Sequence, residues 1–119
     1  MALASFSYIE TSTHKDLDCD ATAQQVGTGA KTLFSVEIDN QANTTASYVK
    51  MWDHAGPTVG TTDPDVIIKV PAGATRFHAF NNGTGRAFAT ALWLACVDAP
   101  GTAGTTGPIK DVAVTLKTN

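Results

Sequence analysis

Charge is scarce in this chain. Lys, Arg, Asp and Glu make up 16% of its 119 residues, where about 25% is usual for a soluble domain. The eight basic residues form no cluster, and the formal net charge is −3. Nucleic-acid binding needs a concentrated positive footprint that displaces counterions, so direct contact with DNA or RNA is not expected. No apolar run approaches the ~20 residues that cross a bilayer, so no membrane association is expected. The stretch Met1-Ala2-Leu3-Ala4-Ser5-Phe6 has neither a basic region nor a long apolar core and does not read as a signal peptide. Cysteine is rare, with Cys19 and Cys96 alone. Two distant cysteines in an unsecreted chain are expected as free thiols, and Cys96 as a small core residue. The sequons at Asn43 and Asn82 carry no meaning without secretion. Amphipathic helical spacing and internal repeats are missing too.

What is present is strand grammar. In Lys31–Asp39, Phe34, Val36 and Ile38 fall on one face and Ser35, Glu37 and Asp39 on the other, the period of a half-buried strand. Leu33 breaks that pattern. Asn40-Gln41-Ala42-Asn43 reads as a turn. Ser47–Asp53 follows, with Val49 and Met51 on one face and Tyr48, Lys50 and Trp52 on the other. Val66–Val70 points Val66, Ile68 and Val70 one way, and Pro71-Ala72-Gly73 closes it. Arg76–Phe80 is a short strand, stopped by Asn81-Asn82-Gly83, whose residues tolerate positive φ. Phe88–Val97 is the longest apolar run. Its Gly/Asn-rich and Pro/Gly-rich flanks favour one continuous strand covered on both faces, the second cover coming from a neighbouring subunit. Asp98–Pro108 reads as a mobile Gly/Thr loop. Asp111–Lys117 is the last strand, with Val112, Val114 and Leu116 inward and charged ends that suit an edge or a terminus.

These segments predict an all-β fold: a single antiparallel β-sandwich, jelly-roll-like, over residues 31–119. Residues 1–30 are expected as an N-terminal strand or arm and loop. Phe6, Tyr8 and Ile9 offer a short strand, and Thr11–Ala30 a long polar loop or an arm lying on something else. One domain is what 119 residues imply.

Candidate chemistry is thin. Asp16-Leu17-Asp18-Cys19-Asp20 starts like a calcium loop, but the glycine expected next is Ala21 and the closing glutamate is Gly27. His14, His54 and His78 show no zinc-ligand spacing. No nucleophile elbow occurs, and the Gly101–Gly107 loop lacks the Lys-Ser/Thr end of a phosphate loop. No enzyme activity, metal or cofactor is expected. The more telling residues are aromatic. Tyr48, Lys50 and Trp52, with Arg76, His78 and Phe80, are the candidate contact residues, because Trp and Tyr are enriched at interface hot spots. Plain core packing of Tyr48 and Trp52, or stacking on sugar rings, are the alternatives.

From Ser47 onward, over roughly two thirds of its length, the chain resembles small virion structural proteins of tailed bacteriophages. The similarity lies in Ser47-Tyr48-Val49-Lys50-Met51-Trp52, Gly56-Pro57-Thr58-Val59-Gly60-Thr61 and Pro64-Asp65-Val66-Ile67-Ile68-Lys69-Val70-Pro71-Ala72-Gly73. Phe88-Ala89-Thr90-Ala91-Leu92 and Asp111-Val112-Ala113-Val114 complete it. The resemblance implies a β-sandwich on the particle exterior or in its tail. A capsid decoration or cement protein is the leading expectation, made in the host cytoplasm and placed on the capsid exterior. Its partners would be the major capsid protein, other virion proteins and further copies of itself, as a trimer. A tail, neck or baseplate component is the alternative, and a glycan- or receptor-binding module a more distant one.

Overall fold

A computed structural model describes residues 11–119. The strands are β1 (Ser12–Asp16), β2 (Gln24–Gln25), β3 (Lys31–Asp39), β4 (Ser47–Asp53), β5 (Val66–Val70), β6 (Thr75–Ala79), β7 (Arg86–Phe88), β8 (Leu92–Val97) and β9 (Ala113–Thr118). They form two antiparallel sheets. Sheet one runs β1-β9-β3-β6, with β7 pairing the start of β3, and sheet two runs β2-β8-β4-β5. Val36, Ile38, Val114 and Leu116 of sheet one share one core with Val49, Met51, Leu94 and Cys96 of sheet two. The fold is therefore all-β, with two sheets facing each other across that core, as a sandwich requires.

The inward alternation of β5 and β9 is as the sequence predicts: Ile68, Val70, Val112, Val114 and Leu116 are all buried. β3 differs at one end. Its register against β9 shifts between Leu33 and Ser35, and such a bulge adds one unpaired residue and resets the faces. Leu33 therefore joins Val36 and Ile38 inside, while Phe34 stays half-buried. The Leu33 anomaly was the bulge.

Four expectations are corrected. The 11–30 stretch is not a free loop: β1 pairs with β9 from Ser12↔Thr118 to Asp16↔Val114, and β2 pairs with β8. The expected strand at Phe6, Tyr8 and Ile9 lies outside the described residues. β9 is no edge, because β1 and β3 flank it on both sides. The apolar run at 88–97 is not one strand. It divides into β7 of sheet one and β8 of sheet two, and the chain changes sheets at Ala89-Thr90-Ala91. The Asp53 carboxylate makes that corner. It accepts the backbone N–H groups of Ala89 (3.0 Å), Thr90 (2.8 Å) and Ala91 (3.4 Å). Finally, the inner face of β8 and β4 packs on sheet one, and their outer face is covered by this chain's own loops, as described below.

Asn40 through Asn43 form a turn, as expected, but a buried one. Asn40 Nδ2 donates towards the carbonyls of Thr45 (3.1 Å), Val70 (3.2 Å) and Pro71 (3.1 Å). Its Oδ1 accepts from Asn43 Nδ2 (2.9 Å) and Ser47 Oγ (2.8 Å). Asn43 also exchanges bonds with the Lys110 backbone, at 3.0 and 2.8 Å. Buried polar groups of this kind persist because each has its partners. Here they join β3, β4, β5 and the approach to β9.

Candidate functional site

The six candidate contact residues fall into two groups on different sheets. Tyr48, Lys50 and Trp52 point to the outer face of sheet two, opposite Val97, Ala95 and Trp93 of β8. Tyr48 is half-buried, but Lys50 and Trp52 are fully buried. Two loops cover them. Loop 54–65 supplies the Thr62 carbonyl, which accepts the Trp52 indole N–H at 2.9 Å. Loop 98–112 supplies the carbonyls of Thr102 (3.2 Å) and Gly104 (3.1 Å), which accept from Lys50 Nζ. The loops are tied together by Thr102 Oγ1 donating to Asp63 Oδ1 at 2.6 Å. They press so closely that a Cβ on Gly60 would collide with the Thr105 methyl. Lys50 and Trp52 are thus not an open contact face; plain packing accounts for Trp52. Burial without a carboxylate partner also holds the Lys50 ammonium below its ordinary pKa.

Arg76, His78 and Phe80 come together at the other lateral edge. β5 and β6 are the end strands of their sheets and are joined by the short link 71–74. Arg76 Nη1 donates to the Lys69 carbonyl at 3.1 Å and bridges the two edges. His78 is exposed, and its ring meets Phe80 edge-on at 4.6 Å. Phe80 itself is buried. After it, Asn81 (φ 49°) and Asn82 (φ 55°) take the left-handed conformation that the Asn-Asn-Gly signal foretells.

All five residues of β6 are exposed. Phe77 is 63% exposed and Ile67 on β5 is 39% exposed. With Leu17 and Ile109 they are the large apolar side chains left in solvent among the described residues. The wall carries both signs of charge: Lys69 and Arg76 are exposed along the β5–β6 edge, and Glu37 and Asp39, exposed on β3, pair with Phe77 and Thr75 of β6. Ile67, Lys69 and Phe77 were not among the sequence candidates. The signal was present: each sits off the inward alternation of its strand, where a large apolar side chain has nothing of its own sheet to cover it.

The remaining titratable groups of the described residues make local contacts. Asp16 Oδ1 accepts the Asp18 N–H (3.3 Å) and Asp20 Oδ1 accepts the Thr22 N–H (2.8 Å), as local turns. Burial raises the Asp16 pKa above its ordinary value. No group of three or more His, Cys, Asp or Glu placed to hold a metal ion occurs among the described residues. A cleft of about 230 Å³ opens between Ser12, Thr13, His14, Val26, Gly27, Lys31 and Thr118. His14 Nε2 is buried there without a partner among the described residues. No helix of the described residues is long and apolar enough to cross a membrane. Cys19 and Cys96 are free and buried. The Cys96 thiol beside it, and then burial, push the Cys19 thiol far up.

No protein-family model matches the chain, and no curated protein matches it.

Proposed function

We propose that this chain is a structural protein of a bacteriophage virion, a jelly-roll-like capsid decoration or cement protein that works by adhesion at its β5–β6 wall. The observation that carries the reading is β6, an edge strand with every residue exposed and Phe77 63% in solvent. Arg76, Lys69 and His78 disfavour simple sheet extension along this edge, as charged side chains on edge strands do. Docking through side chains is left, with Phe77 on the outer face of sheet one as the apolar centre and the charged groups around it as the rim.

The charge pattern supports a second copy as one partner. Exposed Lys69 and Arg76 along this edge, with exposed Glu37 and Asp39 on the neighbouring strand, give the wall charges of both signs that another copy of the chain can complement. Such a contact is heterologous and closes into a ring, as a trimer needs. The major capsid protein is the other partner, reached from the capsid exterior. A neck, tail or baseplate position would use the same wall. The sugar-stacking alternative has lost Trp52 to the interior.

The test is light scattering of the purified chain, together with binding to purified capsids, for wild type and Phe77→Asp. The expected result is an assembling wild type and a variant that stays monomeric, binds capsids at least tenfold more weakly and melts at the same temperature. A wild type that is monomeric at all concentrations and absent from virions overturns the proposal, as does full assembly by Phe77→Asp.

A further inference from the structure

We propose that Cys19 and Cys96 form an oxidative cross-linking site that closes into an internal disulfide between the N-terminal crossover and β8. The backbone brings the two together. Cys19 N–H donates to the Val112 carbonyl at 2.9 Å, continuing the edge of sheet one. One residue later the Asp20 carbonyl accepts the Cys96 N–H at 2.7 Å, on sheet two. The chain therefore changes sheets at the 19–20 dipeptide, immediately beside Cys96. Both side chains lie in the shared core, at 3% and 0% exposure, and the Cys96 thiol is near enough to perturb that of Cys19.

The reaction balances with a small-molecule disulfide as the oxidant. The Cys19 thiol loses its proton and attacks one sulfur of the oxidant, releasing one thiol and leaving a mixed disulfide. The Cys96 thiolate then attacks the Cys19 sulfur and releases the second thiol. Two protons and two electrons leave the protein, and one S–S bond forms. Burial shields both thiols from the oxidant, and the Cys19 thiol is held well above its ordinary pKa, so the folded protein reacts slowly. Access comes when the crossover opens, and β2, with two paired residues, holds that segment weakly. Once closed, the bond is shielded from reductants by the same packing. This inference does not depend on the virion reading.

The test uses the full chain refolded from denaturant in a mixture of oxidised and reduced glutathione, then trapped with an alkylating agent and measured by mass spectrometry. The native protein held in oxidised glutathione is followed in parallel. The expected product is a monomer two hydrogens lighter, with the Cys19 and Cys96 peptides linked. It should melt about 10 °C or more above the reduced form and should not form in Cys19→Ser or Cys96→Ser. Refolded protein with two free thiols, with glutathione adducts only, or with a covalent dimer as its main product overturns the proposal.

Discussion

Replacing Asp53 with Ala should destabilise the protein by about 2–3 kcal/mol, because this one carboxylate holds the corner where the chain leaves sheet one for sheet two. Its three acceptor bonds run to Ala89, Thr90 and Ala91. Hydrogen bonds to a charged group are worth roughly 1.5–3 kcal/mol each, but an N–H that finds water recovers much of that. Ala89 and Thr90 are exposed and can do so; Ala91 is buried at 4% and cannot. The net loss is therefore nearer one such bond plus a residue than three. For a domain of this length that is a fall of about 10 °C in melting temperature. Asp53→Asn keeps one carbonyl acceptor and should lose about half as much. The pH dependence follows from the direction of the shift. The Thr90 N–H above all, with those of Ala89 and Ala91 and the nearby Arg86 charge, holds Asp53 below its ordinary pKa against the opposing effect of burial. A carboxylate depressed in the folded state contributes stability above its unfolded pKa of about 3.9 and loses it as pH falls through the folded value. The gap between wild type and Asp53→Asn should be full at pH 7 and should close below about pH 4. Urea unfolding followed by tryptophan fluorescence measures both. If Asp53→Ala unfolds within 0.5 kcal/mol (about a third of the loss of one charged bond) of wild type at pH 7, the corner is held by something else.

Two further substitutions test the interior. Asn40→Ala removes the donor shared by the Thr45, Val70 and Pro71 carbonyls and the acceptor of Ser47 and Asn43, and should cost about 3 kcal/mol in urea unfolding. Asp16→Asn should act with the opposite sign to the Asp53 changes. Burial raises the folded pKa of Asp16, so its stabilising contribution is present below about pH 3.9 and is lost as pH rises through the folded value. The amide should stabilise the protein at pH 7, by about 1 kcal/mol, and match wild type near pH 3; a loss at pH 7 would falsify that account.

Strand positions that depend on local alternation were legible. Val66–Val70 and Ser47–Asp53 match β5 and β4 end for end, and Asn81-Asn82-Gly83 turns where its residue types say it should. What was not legible depends on partners distant in sequence. Nothing near Phe88–Val97 announces a corner, because the carboxylate that makes it is 36 residues away at Asp53. Nothing near Ser12–Asp16 announces a strand, because it is the backbone that pairs with β9, and three of the five residues are exposed. Lys50 was misplaced for a related reason. Strand period puts it opposite Val49 and Met51, correctly, but period does not say what lies over that second face. The candidate wall was half legible: Arg76 and His78 were singled out, while Phe77 between them was passed over.

The low charge content has an internal cause, and that narrows where adhesion is to be sought. Sheet two is covered inside by sheet one and outside by loops 54–65 and 98–112, so Lys50, Trp52, Ala95 and Val97 are all out of solvent. A sheet wrapped on both faces needs few charged residues. Neutral composition is thus used up within the chain and says little about neighbours. Sheet one has no such cover at β6, whose neighbour β3 shows Glu37 and Asp39 to solvent. Phe77 stands opposite Glu37 on that outer face, beyond the reach of both loops, and no packing among the described residues accounts for it. An exposed Phe on a polar strand face costs hydration and returns nothing to the fold. On the proposed reading its return comes from a contact with a partner, which is why the Phe77→Asp comparison separates an adhesive protein from a solitary one.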